Sequence, residues 1–209
     1  MMQVHKKAAV FLDRDGTINE QMGYVNHLCR FVLLPGVAQA IRQLNQYGIP
    51  VVVVTNQSGL ARGYFPPVLV EQVHREMENL LAAEEAHVDG IYICPHHPEA
   101  KVEQYRQHCR CRKPQPGLLE QAALDLDIDL SHSFMVGDRW SDIECGQRVG
   151  AVPVLVLTGY GRGELEYIGP EKETQPVLIA EDLLEAVEKI ISLLENSSCG
   201  KMQKKVKNI

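Results

Sequence analysis

Short runs of apolar residues alternate along the chain with longer stretches in which apolar positions recur every three or four residues. The first pattern fits strands buried on both faces, the second amphipathic helices. Residues 8–12 predict a buried strand that ends at Asp13. Residues 51–54, four consecutive valines, predict a central parallel strand. Three more strands are expected over residues 91–94, 134–136 and 152–157. Helices are expected over residues 37–47, with Ala38, Ile41 and Leu44 on one face and Gly48 to end it, and over residues 67–85, with Val70, Val73, Met77 and Leu80 or Leu81 inward. Two more fall at residues 118–126 and 182–194. This alternation predicts an α/β fold, a Rossmann-like, mainly parallel sheet flanked by helices. One domain is expected over residues 1–195, followed at 196–209 by a short basic tail containing Lys201, Lys204, Lys205 and Lys207 and no acid. The tail reads first as a solvated, frayed terminus and second as an anion-binding arm.

Composition narrows the function. The chain has 209 residues, 45% hydrophobic and 23% charged, which excludes disordered and fibrous classes and allows a large core. A net charge of −6 and 6% aromatics argue against nucleic-acid binding, which needs a basic footprint or stacking platforms. The apolar runs are too short to span a membrane, and Asp13 and Arg14 arrive too early for a signal-peptide core. A cytoplasmic monomer with no membrane or nucleic-acid partner is the expectation.

Three predicted strands end in polar groups that share a chemistry. They are Asp13-Arg14-Asp15-Gly16-Thr17, Thr55-Asn56-Gln57-Ser58-Gly59, and Gly137-Asp138 followed by Arg139 to Asp142. Ligands of open α/β sheets bind at the carboxyl ends of the strands. Carboxylates gathered there repel one another, and an oxygen-preferring divalent cation, Mg²⁺, relieves the repulsion. Asp13 is placed to attack phosphorus, and Asp15 to protonate the leaving oxygen and later activate water. Gly16 allows a sharp turn, and the Thr17 hydroxyl is expected to brace it. Thr55 offers hydrogen bonds to a transferring phosphoryl group, Lys113 adds positive charge, and Asp138 completes the magnesium site.

A second cluster combines Cys94 and His96 with Cys109 and Cys111. Residues i and i+2 of an extended segment point the same way, so each pair can grip one ion, and three thiolates with one imidazole make a closed, structural zinc site. His97 and His108 are rival ligands, and free core cysteines or a disulfide are the blander alternatives. Cys29, Cys145 and Cys199 stand alone and read as ordinary residues.

In order, FLDRDGT, VVVVTNQSG, CRKP and MVGD resemble the four motifs of the haloacid dehalogenase superfamily of phosphotransferases. Within it, DRDGTIN, GYV, TNQSGLARG, CPHHPE, CRCRKPQPG and MVGDRWSDI are similar to the heptose bisphosphate phosphatases. The resemblance implies an aspartyl-phosphate on Asp13, proton donation by Asp15, and stabilisation of the phosphoryl group by Thr55 and Lys113. It also implies magnesium on the Asp13 side chain, the Asp15 backbone carbonyl and Asp138, and zinc on Cys94, His96, Cys109 and Cys111. Substrate contacts are implied at Gln21, Met22, Gly23, Tyr24, Thr55, Asn56, Gln57, Ser58, Arg112, Lys113 and Arg139, where Arg139 stands at a position that is often Lys. The implied reaction removes the C7 phosphate of a heptose 1,7-bisphosphate to leave heptose 1-phosphate, on the way to ADP- or GDP-heptose for lipopolysaccharide or other surface glycans. No large cap domain is expected, and the zinc loop at 94–111 is the candidate for its role. Histidinol-phosphate hydrolysis and an inactive zinc-stabilised binding module are the alternative readings.

Overall fold

The computed structural model describes residues 6–206, with side chains described as far as residue 196. Six strands, β1 (Val10–Leu12), β2 (Val51–Asn56), β3 (Gly90–Cys94), β4 (Phe134–Gly137), β5 (Val152–Val156) and β6 (Leu178–Ala180), form one parallel sheet in the order β3-β2-β1-β4-β5-β6. Leu12 of β1 lies opposite Val53 of β2 and Val136 of β4. The chain therefore leaves β1 in one direction through β2 and β3 and in the other through β4 to β6. Such a reversal opens a crevice at the carboxyl ends of the central strands, where ligands bind.

Because strand side chains alternate, Val10 and Leu12 enter one core and Phe11 the other. The first core is closed by helices α1 (Val37–Gln46), α3 (Pro67–Ala83) and α7 (Leu183–Val206). The second is closed mainly by α4 (Gly117–Asp125), with Cys145 of α5 (Trp140–Arg148) beside it. All four valines at 51–54 are fully buried, as a two-sided core requires. Each such side chain contributes roughly 1.5–3 kcal/mol on burial. The sheet thus has its own apolar support, independent of any bound metal.

Several details differ from expectation. On α1 the buried stripe is Val37, Ala40, Ile41 and Leu44, with Ala38 only on its shoulder. On α3, Leu81 is buried and Leu80 partly so. Helix α2 (Ser58–Arg62), α5, α6 (Gly161–Gly163) and strand β6 were not legible beforehand. They are short or polar, and β6 is a three-residue edge strand whose Ile179 is exposed. Helix α7 runs on to Val206, so the backbone of the stretch read as a frayed tail is helical to that point. The side chains of its lysines and of Cys199 lie outside the described residues. Among the described residues, no helix is long and apolar enough to cross a membrane.

Candidate active site and metal-ligand cluster

Asp13 leaves the tip of β1 with its backbone N–H donating to Val136 O at 2.9 Å, which fixes it beside the end of β4. Oxygens of Asp13, Asp138 and Asp142 lie within 4.8 Å of one another. Lys113 Nζ reaches Asp13 Oδ1 at 2.8 Å and Asp142 Oδ1 at 2.7 Å, and donates to Val54 O at 2.8 Å. Arg14 N also donates to Asp13 Oδ1, at 2.7 Å, and among the described residues none donates to Asp13 Oδ2. Two donors on one oxygen leave the other for chemistry. One ammonium cannot neutralise three carboxylates. Burial pushes Asp13 up to about 6 against the pull of Lys113, and burial with the neighbouring Asp13 and Asp142 pushes Asp138 up to about 8. Burial alone would lower Lys113, but Asp13 and Asp142 more than reverse it, so its charge is secure.

Asp138 Oδ2 accepts from Tyr160 N at 2.8 Å, whereas its buried Oδ1 has no partner. A Cβ at Gly16 or at Gly159 would stand 2.1 Å from Asp138 Oδ2, so both positions require glycine to admit that carboxylate. A cradle of oxygen donors with an unpartnered buried oxygen and excess negative charge fits Mg²⁺. Asp142 was not singled out as a site residue from sequence. The available signal was an acid in the first turn of a helix: its Oδ2 accepts from the N-cap Arg139 N at 3.1 Å.

Asp15 stands on the wall rather than in the carboxylate cluster. Its Oδ1 accepts from Arg14 Nη2 at 2.8 Å and Asn19 Nδ2 at 3.0 Å, and its Oδ2 from the same Arg14 Nη2 and from Gln57 Nε2, both at 2.9 Å. Burial alone would raise its pKa, but Arg14 and the other donors outweigh it and hold Asp15 below the ordinary carboxylate range. The turn is braced differently from expectation. Thr17 Oγ1 is buried without a partner, and the loop is closed instead by Gly16 N to Asn19 O at 2.7 Å and Ile18 N to Arg14 O at 2.8 Å. Gly16 has φ +88°, a conformation only glycine adopts easily.

Above this floor lies a polar cavity of about 360 Å³. Asp13, Asp15, Thr55, Lys113 and Asp142 line it, with Gln21, Gly23, Tyr24, Asn56, Gln57, Ser58, Arg112 and Arg139 around them. Met22 lies between two lining residues but is not on the wall, and Asp138 is sealed beneath it. Thr55 Oγ1 accepts from Gln57 Nε2 at 2.9 Å. The guanidinium of Arg139 rests 4.2 Å from the centre of the Tyr160 ring, a cation–π contact that holds it at the rim. Arg62 and Ser141 also line the cavity and were not foreseen.

The second cluster assembles Cys94, His96, Cys109 and Cys111 at one point. Sulfur–sulfur separations are 3.1–3.5 Å, and His96 Nδ1 is 3.3 Å from Cys111 Sγ and 3.9 Å from Cys94 Sγ. These spacings are far beyond a disulfide bond and close to the ~3.8 Å between ligands at about 2.3 Å from one tetrahedral ion. His97 and His108 are not part of the cluster; His97 Nε2 contacts Arg62 Nη2 at 3.2 Å instead. The loop is wired to the active site. Arg112 Nη1 donates to His96 O at 3.2 Å, and Lys113 and Asn56 exchange two hydrogen bonds of 3.1 and 3.2 Å.

Residues 110–186 match the HAD-hydrolase-like family. The chain is 47% identical over 152 residues to D-glycero-beta-D-manno-heptose-1,7-bisphosphate 7-phosphatase of Escherichia coli K12, covering 72% of this chain and 80% of that protein. It is 43% identical over 183 residues to the protein of the same name from Haemophilus ducreyi, covering 87% and 97%. The crystal structure of D,D-heptose 1,7-bisphosphate phosphatase from B. bronchiseptica, complexed with magnesium and phosphate, superposes with a TM-score of 0.79 at 36% identity, over 88% of this chain and 98% of that one. With a fold and a sequence that agree with these relatives over most of its length, the chain belongs to the HAD-like D-glycero-beta-D-manno-heptose-1,7-bisphosphate 7-phosphatase family.

Proposed function

We propose that the protein hydrolyses the C7 phosphate of D-glycero-D-manno-heptose 1,7-bisphosphate to heptose 1-phosphate and inorganic phosphate, in the supply of nucleotide-activated heptose. The observation that carries this is Asp13, held on one oxygen by Lys113 and Arg14 N–H at the floor of a polar cavity whose wall presents Asp15. Asp13 attacks phosphorus, and the bond to the C7 oxygen breaks as Asp15 gives that oxygen its proton. The phosphate dianion arriving beside Asp15 raises its pKa, offsetting the donors that depress it in the free protein. A water then attacks the aspartyl-phosphate, Asp15 takes the water's proton, and the phosphorus–Asp13 bond breaks to release phosphate. Thr55 and Lys113 face the equatorial oxygens in both steps. Asp13, Asp138, Asp142 and the Asp15 carbonyl are the groups available to hold magnesium, which when bound neutralises charge on the phosphoryl oxygens. Arg112, Arg139 and the residues from Gln21 to Ser58 on the cavity wall bind the remainder of the sugar phosphate.

The test is phosphate release from both anomers of the bisphosphate, histidinol phosphate and common sugar phosphates, with magnesium and with EDTA. The expected result is selective release from the heptose bisphosphate, abolished reversibly by EDTA. Preference for histidinol phosphate would move the protein to the alternative phosphatase, and no release from any ester would make it a binding module.

Metal occupancy should also be visible in stability. Asp13 and Asp138 carry pKa values above the unfolded value of 3.8. Their contribution is therefore present below that value and lost as pH rises through about 6 and about 8. Magnesium is expected to raise Tm more at about pH 9 than at about pH 5.5, because it binds the ionised set. An equal rise at both pH values would count against the carboxylate cluster as the site.

Cys94, His96, Cys109 and Cys111 offer four protein ligands and no open position, so zinc there shapes the loop and takes no part in bond breaking. Cys109→Ser is expected to lose zinc and loosen Arg112 and Lys113 while the sheet, with its own core, stays folded. Misplacement of about 1 Å can cost 10²-fold. The kcat/KM ratio of heptose bisphosphate to p-nitrophenyl phosphate should therefore collapse, since the small ester has less use for Arg112. Zinc content and that ratio check it. Retained zinc would show that the ligands are misassigned, and an unchanged ratio without zinc that the loop does not select substrate.

A further inference from the structure

Asp15 is held by the Arg14 side chain, to which the proposed reaction assigns no step; only the Arg14 backbone N–H, on Asp13, enters it. Arg14, whose side chain is 2% exposed, contacts both oxygens of Asp15 with a single nitrogen, Nη2. Its Nη1 lies 3.2 Å from Nε2 of His74 on α3, and its Nε is buried without a partner. A guanidinium beside a carboxylate prefers a two-nitrogen fork. Here that fork is not made: Nη2 alone serves both carboxylate oxygens, and Nη1 contacts the imidazole instead.

We propose that His74 is a positioning residue: by accepting from Arg14 Nη1 it sets the guanidinium angle, and through it the direction in which Asp15 presents its carboxyl to the leaving oxygen. This inference rests on the phosphatase reading of the site. Burial and the adjacent Arg14 push His74 down to about 4, so its ring is neutral at working pH and Nε2 is an acceptor when Nδ1 carries the proton. Without His74, two of the three nitrogens of a buried guanidinium would be unpartnered, a costly state. Arg14 relieves it by rotating Nη1 toward Asp15. The resulting fork draws the carboxylate off Asn19 and Gln57, whose hydrogen bonds now aim it.

The experiment compares wild type, His74→Leu and His74→Gln on two esters. Heptose bisphosphate has an alkoxide leaving group that needs a proton, whereas p-nitrophenolate leaves without one. kcat/KM includes only steps up to loss of the leaving group, so the later attack of water does not enter. General acid catalysis contributes about 10²–10⁴-fold, and misaiming the acid should forfeit part of it. His74→Leu is expected to lower kcat/KM for the bisphosphate about 10-fold, and for p-nitrophenyl phosphate less than about twofold. His74→Gln, whose amide oxygen can accept from Nη1, should restore the bisphosphate rate. An equal fall on both esters, no fall on either, or a Gln variant as impaired as Leu overturns the proposal. If His74→Leu does not fold, His74→Ala removes the acceptor without adding a branched side chain and is read the same way. Failure of the wild type to turn over either ester would instead overturn the phosphatase reading.

Discussion

Asp13→Asn is expected to abolish phosphate release while leaving the protein folded. The amide has nearly the same shape, and its oxygen can still accept from Lys113 Nζ and Arg14 N, the two donors now on Oδ1. It carries no charge and cannot attack phosphorus, so the covalent intermediate does not form. Removal of a nucleophile that works as one unit with its neighbours costs on the order of 10⁶ in kcat. Stability should move the other way in metal-free buffer. Asp13 is an acid whose pKa burial lifts to about 6, so its ionised form is disfavoured at neutral pH, and the neutral amide removes that penalty. Initial rates on freshly purified protein, before any deamidation back to aspartate, together with Tm in EDTA, decide the matter. A rate near wild type would falsify the covalent mechanism.

Lys113→Met should cost both activity and stability. Lys113 is the cation that reaches both Asp13 and Asp142, and it also satisfies Val54 O. Methionine fills a similar volume but leaves two buried carboxylates facing each other without that ammonium. Breaking a buried pair from one side typically costs about 3–5 kcal/mol, because the remaining charge has no compensation. The loss should be largest without magnesium and smaller with it, since a cation takes up part of the repulsion. Turnover should fall by about 10²–10³, the usual cost of deleting one preorganised stabiliser of transition-state charge. Lys113→Arg is not expected to rescue, because a planar fork cannot replace a compact ammonium among three acceptors. Urea unfolding with and without magnesium, alongside kcat/KM, provides the check. A metal-free variant as stable as wild type would show that the carboxylates are not balanced by this lysine.

Much of the architecture was legible because local pattern and global environment agree. The valines at 51–54 can satisfy only a strand covered on both faces, and β2 is such a strand. Helix α3 begins at Pro67 and buries Val70, Val73, Met77 and Leu81, the spacing read from its sequence. Where pattern is weak, expectation failed. Helix α5 has few apolar residues and an internal glycine, and it is held by Trp140 and Ile143 packing on Leu155, a contact invisible in one dimension. Thr17 shows the converse error: a hydroxyl in a turn suggests a brace, yet the backbone closes this turn by itself.

The sequence by itself determined the chemistry available: the acids at 13, 15 and 138, the lysine at 113, and two cysteine-bearing pairs at ligand spacing. These are strand-end and i, i+2 signals, set by neighbours along the chain. Only the tertiary structure decided how the charges are shared. It brought Asp142 from the first turn of α5 against Lys113, set His74 of α3 against Arg14, and laid Arg139 over Tyr160. Each pair joins different segments of the chain, and its energy depends on distance and burial in three dimensions, quantities that sequence spacing does not encode.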